Sequence, residues 1–222
     1  MRRLSFANLC CSVFALVSLP VHALQIPLEA GPWQILGYRG IPVNEVDFSG
    51  DGMEIGVNGS ASAIVYPLKA VGRYGRLHVD AVIHGSVDLG ENAQGEKGGD
   101  DFRLRVGLVY AGDKTLNFFQ RTVAPKWIRT LYALAPKGSG ISRVEFYNTW
   151  QDPVLDGRER AHPTTAIWRE HFVLMTDAAG RVNQVLAIPT DADIVAVWIS
   201  SDGDDTGSSY RVRIESLSLD PA

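Results

Sequence analysis

The chain has 222 residues, of which 45% are hydrophobic and 21% are charged, and its formal net charge at pH 7 is -4. This length and apolar content suit a single domain with a substantial core. A mildly acidic chain without a basic run argues against nucleic acid or an anionic membrane surface as the partner, because both attract positive charge.

The first 23 residues have the pattern of a secretory signal peptide. Arg2 and Arg3 precede an apolar run over residues 9–19, and a small-x-small triplet ends at Ala23. The apolar run is too short to span a bilayer, which takes roughly 20 residues. We therefore predict cleavage after Ala23, a periplasmic or secreted location and no stable membrane insertion afterwards. An uncleaved anchor is the alternative.

Cysteine usage follows from this prediction. Cys10 and Cys11 both lie in the segment that cleavage would remove. The mature chain, residues 24–222, would then fold without disulfides and depend on core burial alone.

Period-two alternation of apolar and polar residues predicts strands along most of the mature chain. The clearest example is 76–84, where the apolar residues at 77, 79, 81 and 83 share one face. In chain order, the predicted strands cover 33–39, 53–57, 61–68 (ended by Pro67), 76–84, 102–110, 142–150, 165–175, 185–188, 194–201 and 210–219.

One helix interrupts this series, over residues 125–135. Trp127, Ile128, Leu131 and Leu134 fall at helical spacing, and Pro125 suits a first helical turn. Frequent turns, many strands and the absence of a break in composition predict one all-β domain over residues 24–222. The expected architecture is a two-sheet β-sandwich of jelly-roll type with one short inserted helix.

Short motifs recur in a fixed order along nearly the whole mature chain. They are Ser60-Ala61-Ser62, Gly99-Asp100-Asp101-Phe102 with Arg105, Leu131-Tyr132, Phe146 to Trp150, Trp168-Arg169-Glu170, Asp202 to Gly207, and Tyr210 to Leu219. In this order the chain resembles the bacterial family named domain of unknown function 3047. It departs from that family at Asp205, where Asn is usual, and at His171-Phe172, where Arg-Asn is common. The resemblance implies an exported β-rich protein and implies no particular activity.

Strand alternation also predicts polar sheet faces. Residues His78, Asp80 and His84 would share one, and arginine and glutamate side chains would line others. Such a face either binds a ligand or is solvated and crossed by ion pairs, each contributing roughly 0.2–1 kcal/mol. The candidate ligand-binding residues are Arg103, Arg105, Arg143, Glu145, Trp168 and Glu170.

Glu170 stands out because alternation places it on the same side as Trp168 and Phe172. A carboxylate between two inward-facing rings needs a partner, since burial of an unpaired charge is costly. Arg105 is the predicted partner in a buried ion pair. The alternative is a general acid in a cleft, with Glu145 and Glu170 as the candidate catalytic residues.

The turn before the last strand is acidic. Asp202, Asp204 and Asp205 supply hard oxygen ligands of the kind that calcium prefers. The alternative is a hairpin turn in which these side chains accept bonds from nearby backbone N–H groups. No other cofactor is expected, because the chain has no P-loop, dinucleotide-binding or zinc-protease motif.

Three functions remain open on these grounds. The leading hypothesis is an exported, non-catalytic β-sandwich that binds a glycan or another cell-envelope component. A glycan hydrolase or lyase with paired carboxylates is the second, and it requires those groups to face a common cleft. A structural envelope protein that binds a protein partner is the third, and it predicts an exposed apolar patch.

Overall fold

A computed structural model describes residues 22–50, 52–162, 165 and 167–222. The predicted signal peptide lies outside the described residues except for its last two positions. Strands dominate the described part and form two sheets. The predicted all-β, two-sheet sandwich is therefore confirmed. None of the helices in this part of the chain combines the length and the apolar character needed to cross a bilayer.

Thirteen strands and two α-helices make up the described fold. The strands are β1 (Leu24–Gln25), β2 (Gln34–Gly37), β3 (Glu45–Asp47), β4 (Met53–Asn58), β5 (Ala61–Gly72), β6 (Tyr74–His84), β7 (Arg105–Gly112), β8 (Gly140–Thr149), β9 (Glu159–Ala161), β10 (Trp168–Leu174), β11 (Arg181–Ala187), β12 (Ile194–Asp202) and β13 (Ser209–Pro221). The helices are α1 (Phe118–Val123) and α2 (Lys126–Ala133), and a short 3-10 helix covers Pro153–Leu155.

The two sheets differ in strand order, and helix α2 packs on the outer face of one of them. The six-stranded sheet has the order β11-β6-β13-β4-β3, with β1 paired to β13, and the seven-stranded sheet has the order β2-β5-β12-β7-β8-β10-β9. Neighbouring strands are antiparallel except β8 and β10, which are parallel. The helices follow β7, and α2 packs on the outer face of the seven-stranded sheet, where Leu131 belongs to one apolar cluster with Val144 and Trp198.

The space between the sheets holds the main core. Leu77, Val79, Ala81 and Ile83 of β6 are buried there, as the alternation predicts. The opposite side of β6 carries polar groups: His78 Nε2 lies 2.8 Å from Asp220 Oδ2, and Arg181 donates to Asp80 at 2.6 Å. This outer face is thus the solvated, ion-paired surface that was one of the two predicted alternatives.

The helical region agrees with the prediction only in part. Helix α2 confirms the predicted helix, although it ends at Ala133. Helix α1 was not predicted, because none of its residues is buried and it therefore has no apolar periodicity. It is held by a capping box in which Gln120 N donates to the Asn117 side chain and Asn117 N donates to Gln120 Oε1.

Several strand boundaries also differ from prediction; strand β11, for example, begins at Arg181 and not at residue 185. Strand β5 does not end at Pro67 but continues to Gly72, because Pro67 lies at a register irregularity opposite Ala196 where a ladder hydrogen bond is not required. Strand β7 begins at Arg105 rather than Phe102. Phe102 therefore does not share the inter-sheet face with Leu104 and stacks instead on Phe172, at 5.4 Å between ring centroids.

Candidate functional site

A cleft of about 410 Å³ opens on the outer face of the seven-stranded sheet. Aromatic rings line one side of it and carboxylates the other, and we call it the aromatic–acidic cleft. A small cavity of about 20 Å³ shares Tyr38 and Trp168 with the cleft and is also lined by Phe146, Glu170 and Trp198. The polar and aromatic side chains along the cleft are Tyr38, Asp100, Asp101, Arg105, Trp127, His162, Trp168, Glu170, Asp202, Asp204 and Asp205.

The aromatic side of the cleft is built from three separate elements. Trp127 projects from α2 and Trp168 from β10, with 5.2 Å between their ring centroids. Tyr38, just after β2, meets Trp127 edge to face at 5.9 Å. All three rings are half-buried. The Nε1–H of Trp168 is buried and has no hydrogen-bond partner among the described residues.

Glu170 forms the charged floor of the cleft. Its side chain is only 1% exposed, and it accepts bonds from Arg160 Nε at 2.6 Å and from Asn148 Nδ2 at 3.0 Å. Arg105 Nε lies 3.8 Å from Glu170 Oε1, so the predicted partner is confirmed, but Arg160 is the nearer one. Burial raises the pKa of Glu170, yet Arg105 and Arg160 outweigh it and hold the pKa below its usual range.

Arg160 connects this floor to the loop before β7. Its guanidinium donates to Asp100 Oδ1 at 2.8 Å and to the carbonyl oxygen of Gly95, in addition to Glu170. Arg105 donates to the carbonyl oxygen of Asp100 at 2.9 Å. The two arginines therefore fix the backbone of the loop beside the cleft.

Asp202 pairs with Arg105 on the other side of the floor. One carboxylate oxygen accepts from Arg105 and the other accepts from Ser200 Oγ at 2.7 Å. Burial and the nearby carboxylates of Asp101 and Asp204 raise the pKa of Asp202 to about 6 against the opposing effect of Arg105. Burial, with the Asp202 carboxylate beside it, also raises the pKa of Tyr38.

The acidic turn is held by hydrogen bonds to the loop before β7. Asp101 accepts from Thr206 N at 2.8 Å and from Thr206 Oγ1 at 2.7 Å, and Asp205 accepts from Asp100 N at 3.1 Å. Asp204 is exposed. Within the described ranges, no three His, Cys, Asp or Glu side chains are grouped to hold a metal ion. Asp202 and Asp205 bond groups outside the turn, whereas the hairpin-turn alternative expected bonds to nearby backbone N–H groups. Calcium binding by Asp202, Asp204 and Asp205 stays a prediction.

Glu145 belongs to a different cluster on the opposite face of the same sheet. In the β8–β10 pairing Glu145 is the partner of Arg169, whereas Glu170 is the partner of Phe146, and successive residues of a strand point to opposite faces. The hydrolase or lyase hypothesis requires Glu145 and Glu170 to face one cleft. For this pair of residues that prediction is therefore wrong.

The second cluster is an ion-paired network. Glu145 is buried and accepts from Arg143, while His171 Nε2 lies 2.8 Å from Glu145 and its Nδ1 lies 3.0 Å from Glu159. Burial lowers the pKa of His171, but the two carboxylates outweigh it and raise the pKa above its usual value. Arg143 also bonds Asp191 at 2.6 Å, so its charge is fully engaged.

The predicted ligand set therefore divides into three places. Arg105, Trp168 and Glu170 meet in the aromatic–acidic cleft. Arg143 and Glu145 lie together on the other face. Arg103 lies apart from both places and donates to Thr176 Oγ1 at 3.1 Å. Strand β7 begins only at Arg105, so strand alternation does not determine the direction of the Arg103 side chain.

Several cleft residues were missed by sequence reasoning. Arg160 lies on β9, which has three residues and is too short to show alternation. Tyr38 follows β2 and carried no signal for a site, and the sequence does not show which of the five tryptophans, Trp127 among them, would line one. The antiparallel pairing that places Arg160 opposite Glu170 depends on tertiary contacts and has no counterpart in the local sequence.

Comparison with known proteins gives likenesses of architecture only. No family model matches the chain, and no curated protein matches it. A solved structure titled as the family 11 carbohydrate-binding module from Clostridium thermocellum in complex with a β-1,3-1,4-mixed-linked tetrasaccharide is 13% identical with a TM-score of 0.45, and the match covers 92% of this chain and 98% of that one.

Two further solved structures are larger proteins. An exo-β-agarase is 9% identical with a TM-score of 0.36, and the match covers 91% of this chain and 26% of that one. A structure titled PfGH50B is 11% identical with a TM-score of 0.32, with 86% and 22% covered. The chain thus spans about a quarter of these two proteins. At such identities and TM-scores the likenesses say nothing about the ligand or activity of this chain.

Proposed function

We propose that the protein is an exported, non-catalytic module that binds a glycan in the aromatic–acidic cleft. The observation that carries the proposal is the pair of half-buried rings of Trp127 and Trp168, 5.2 Å apart, beside fixed charged groups. Ligand clefts combine apolar and aromatic walls with a few placed polar groups, which is the composition found here. The N-terminal signal-peptide pattern and the family resemblance support export.

The chemistry of a sugar ring matches these walls. Its C–H faces are apolar and stack on large rings, while its hydroxyls need both donors and acceptors. Trp127 and Tyr38 supply ring surface along the cleft. The exposed carboxylates of Asp204 and Asp205 supply acceptors at the mouth of the cleft.

The state of Glu170 favours binding over catalysis. Both oxygens of Glu170 and both oxygens of Asp202 are already bonded by side chains of the protein. The lowered pKa of Glu170 keeps it ionised at neutral pH, which is unsuited to a general acid. Glu170 therefore serves to shape the floor of the cleft.

A direct test is binding to a panel of soluble glycans followed by isothermal titration. The panel includes cello-, chitin and mixed-linked β-glucan oligosaccharides, peptidoglycan fragments and lipopolysaccharide core oligosaccharides. Trp127→Ala should weaken binding at least tenfold, because stacking on a large ring is lost. Tyr132→Ala is the matched control, since Tyr132 lies on the same helix and packs in the same apolar cluster without lining the cleft.

The outcomes separate the three hypotheses. Binding that Trp127→Ala abolishes and Tyr132→Ala preserves supports the proposal. Release of new reducing ends by the wild-type protein would replace it with the enzyme hypothesis. Absence of binding to every glycan, together with capture of a defined envelope protein through the cleft, would replace it with the structural hypothesis.

A further inference from the structure

The segment between β7 and β8 exposes a group of large apolar side chains. Phe118 is 88% exposed, Phe119 72% and Val123 63%, all on α1. Helix α1 has no buried residue, whereas α2 is anchored to the sheet through Leu131. We call this segment, residues 113–139, the helical arm. Helix α1 therefore presents apolar surface to solvent, and α2 holds the arm on the sheet.

The charge of the helical arm is opposite to that of the rest of the chain. It contains five basic residues and one acidic residue, Asp113, so its net charge is +4, and the remainder of the chain carries -4 minus 4, or -8. The five are Lys114, Arg121, Lys126, Arg129 and Lys137.

These five basic groups are unlike the arginines of the two sheet clusters. Arg105, Arg143 and Arg160 are each paired with carboxylates. None of the arm's basic side chains forms an ion pair with a described residue, and all five are exposed. Arg121 and Arg129 bond only backbone carbonyl oxygens, of Leu116 and Ala124. Their charges are thus free to act on something outside the chain.

We propose that the helical arm docks the protein on an anionic lipid surface. Exposed Phe side chains enter the boundary between headgroups and acyl chains, and surrounding Lys and Arg side chains contact the anionic headgroups. Electrostatic attraction acts within about one Debye length, roughly 8 Å at physiological salt, so the local charge of the arm outweighs the net charge of the chain. The net negative charge of the whole chain argues against binding to an anionic lipid surface, but it does not reflect the local excess of positive charge on the arm.

The charge pattern favours lipid over other occupants. An apolar groove on a partner protein would accept Phe118 and Phe119 but would not call for five unpaired cations around them. Nucleic acid would attract the cations but gain little from apolar rings presented without a basic groove. A lipid headgroup layer offers negative charge and an apolar interior together, within the length of one side chain.

Co-sedimentation with vesicles tests the proposal. Wild-type protein, prepared with one defined N-terminus shared by all variants, is mixed with vesicles of phosphatidylcholine alone or with one-quarter phosphatidylglycerol. Binding should occur with the anionic vesicles, and it should fall at least tenfold as salt is raised from 0.1 to 0.5 M. Binding to both vesicle types alike, or to neither, would overturn the proposal.

Two pairs of substitutions locate the contact. Phe118→Ser with Phe119→Ser should lower the partition coefficient at least tenfold without lowering the melting temperature, because neither ring is packed. Lys126→Gln with Lys137→Gln should lower the partition coefficient about 25-fold, because each of the two charges removed contributes a factor of about five. Val185→Ser is the matched control, since Val185 is 55% exposed on β11, away from the arm, and should change nothing.

Some outcomes would replace the lipid by another occupant. If the Phe pair abolishes concentration-dependent self-association in sedimentation analysis while vesicle binding is unchanged, the arm contacts a second copy of the chain. If Val185→Ser lowers vesicle binding as much as the Phe pair does, adsorption is unspecific. Either result contradicts lipid docking by the arm.

Discussion

Arg160 of β9 and Glu170 of β10 are direct partners across an antiparallel pair, and Arg160 Nε donates to Glu170 Oε2 at 2.6 Å. The same guanidinium reaches Gly95 and Asp100 in the loop before β7. One arginine thus joins an edge strand, the neighbouring strand and the loop that borders the cleft. The ion pair between Arg160 and Glu170 consequently holds the strands and the loop of the cleft in place.

Glu170→Gln should lower the free energy of unfolding by about 1.5 to 3 kcal/mol, because Arg160 loses a charge-assisted hydrogen bond and both arginines lose one of their counter-charges, keeping only Asp100 and Asp202. Urea unfolding followed by tryptophan fluorescence measures this change. Glu91→Gln, in an exposed loop position, is the control and should stay within about 0.5 kcal/mol of wild type. A Glu170→Gln protein of wild-type stability would contradict the ion-pair account of the floor.

Arg160→Lys should cost about 1.5 to 3 kcal/mol although the charge is kept. A lysine ammonium cannot reproduce the three separate bonds that the guanidinium makes to Glu170, Asp100 and Gly95. Arg158→Lys is the matched control, two residues away and exposed. Hydrogen exchange should also show faster exchange at the amide of Gly99, and equal protection in both variants would contradict the bridging role.

The Glu145–His171–Glu159 cluster should contribute to the pH dependence of the free energy of unfolding. The pKa of His171 is raised in the folded chain, so its contribution is fully present below the unfolded value of about 6.5 and is lost as pH rises through the folded pKa. His171→Gln should therefore reduce stability most below pH 6.5 and least in alkaline buffer. NMR titration should place His171 above 6.5 and His162, whose pKa burial lowers, below it. The reverse order would contradict the assignment.

Gly107→Ala should destabilise the floor of the cleft. A Cβ at Gly107 would lie 2.7 Å from the Phe146 ring and 3.1 Å from Trp198 Cβ, and overpacking of this kind costs about 1 to 3 kcal/mol. Gly72→Ala is the control, because a Cβ there meets nothing within 4 Å. Thermal unfolding compares the two, and a Gly107→Ala melting temperature equal to that of Gly72→Ala would refute the packing argument.

Much of the fold could be predicted because burial imposes a period on the sequence. Strand β6 is a good example: one side faces the inter-sheet core and the other faces solvent, so Leu77 to Ile83 alternate cleanly. Helix α2 likewise buries one side through Leu131. Strands β1, β3 and β9 have only two or three residues, and α1 buries none, so these elements left no such pattern.

The site could be predicted only in pieces. The position of Glu170 between Trp168 and Phe172 showed that it needed a partner, and Arg105 was found. Which face of the sheet each carboxylate occupies depends on the register between β8 and β10, and this is set by tertiary pairing. For that reason Glu145 and Glu170 were grouped as candidate catalytic residues, although the sheet separates them.

The most direct test of the proposed cleft is an NMR titration of the indole N–H signals of the five tryptophans with the tightest-binding glycan of the panel. Assignments come from single Trp→Phe variants. Trp127 and Trp168 line the cleft, whereas Trp33 lies in the inter-sheet core with its Nε1–H bonded to the carbonyl oxygen of Pro27 at 2.8 Å. The account predicts the largest shifts at Trp127 and Trp168 and none at Trp33. Saturating binding that leaves Trp127 and Trp168 unshifted would contradict it.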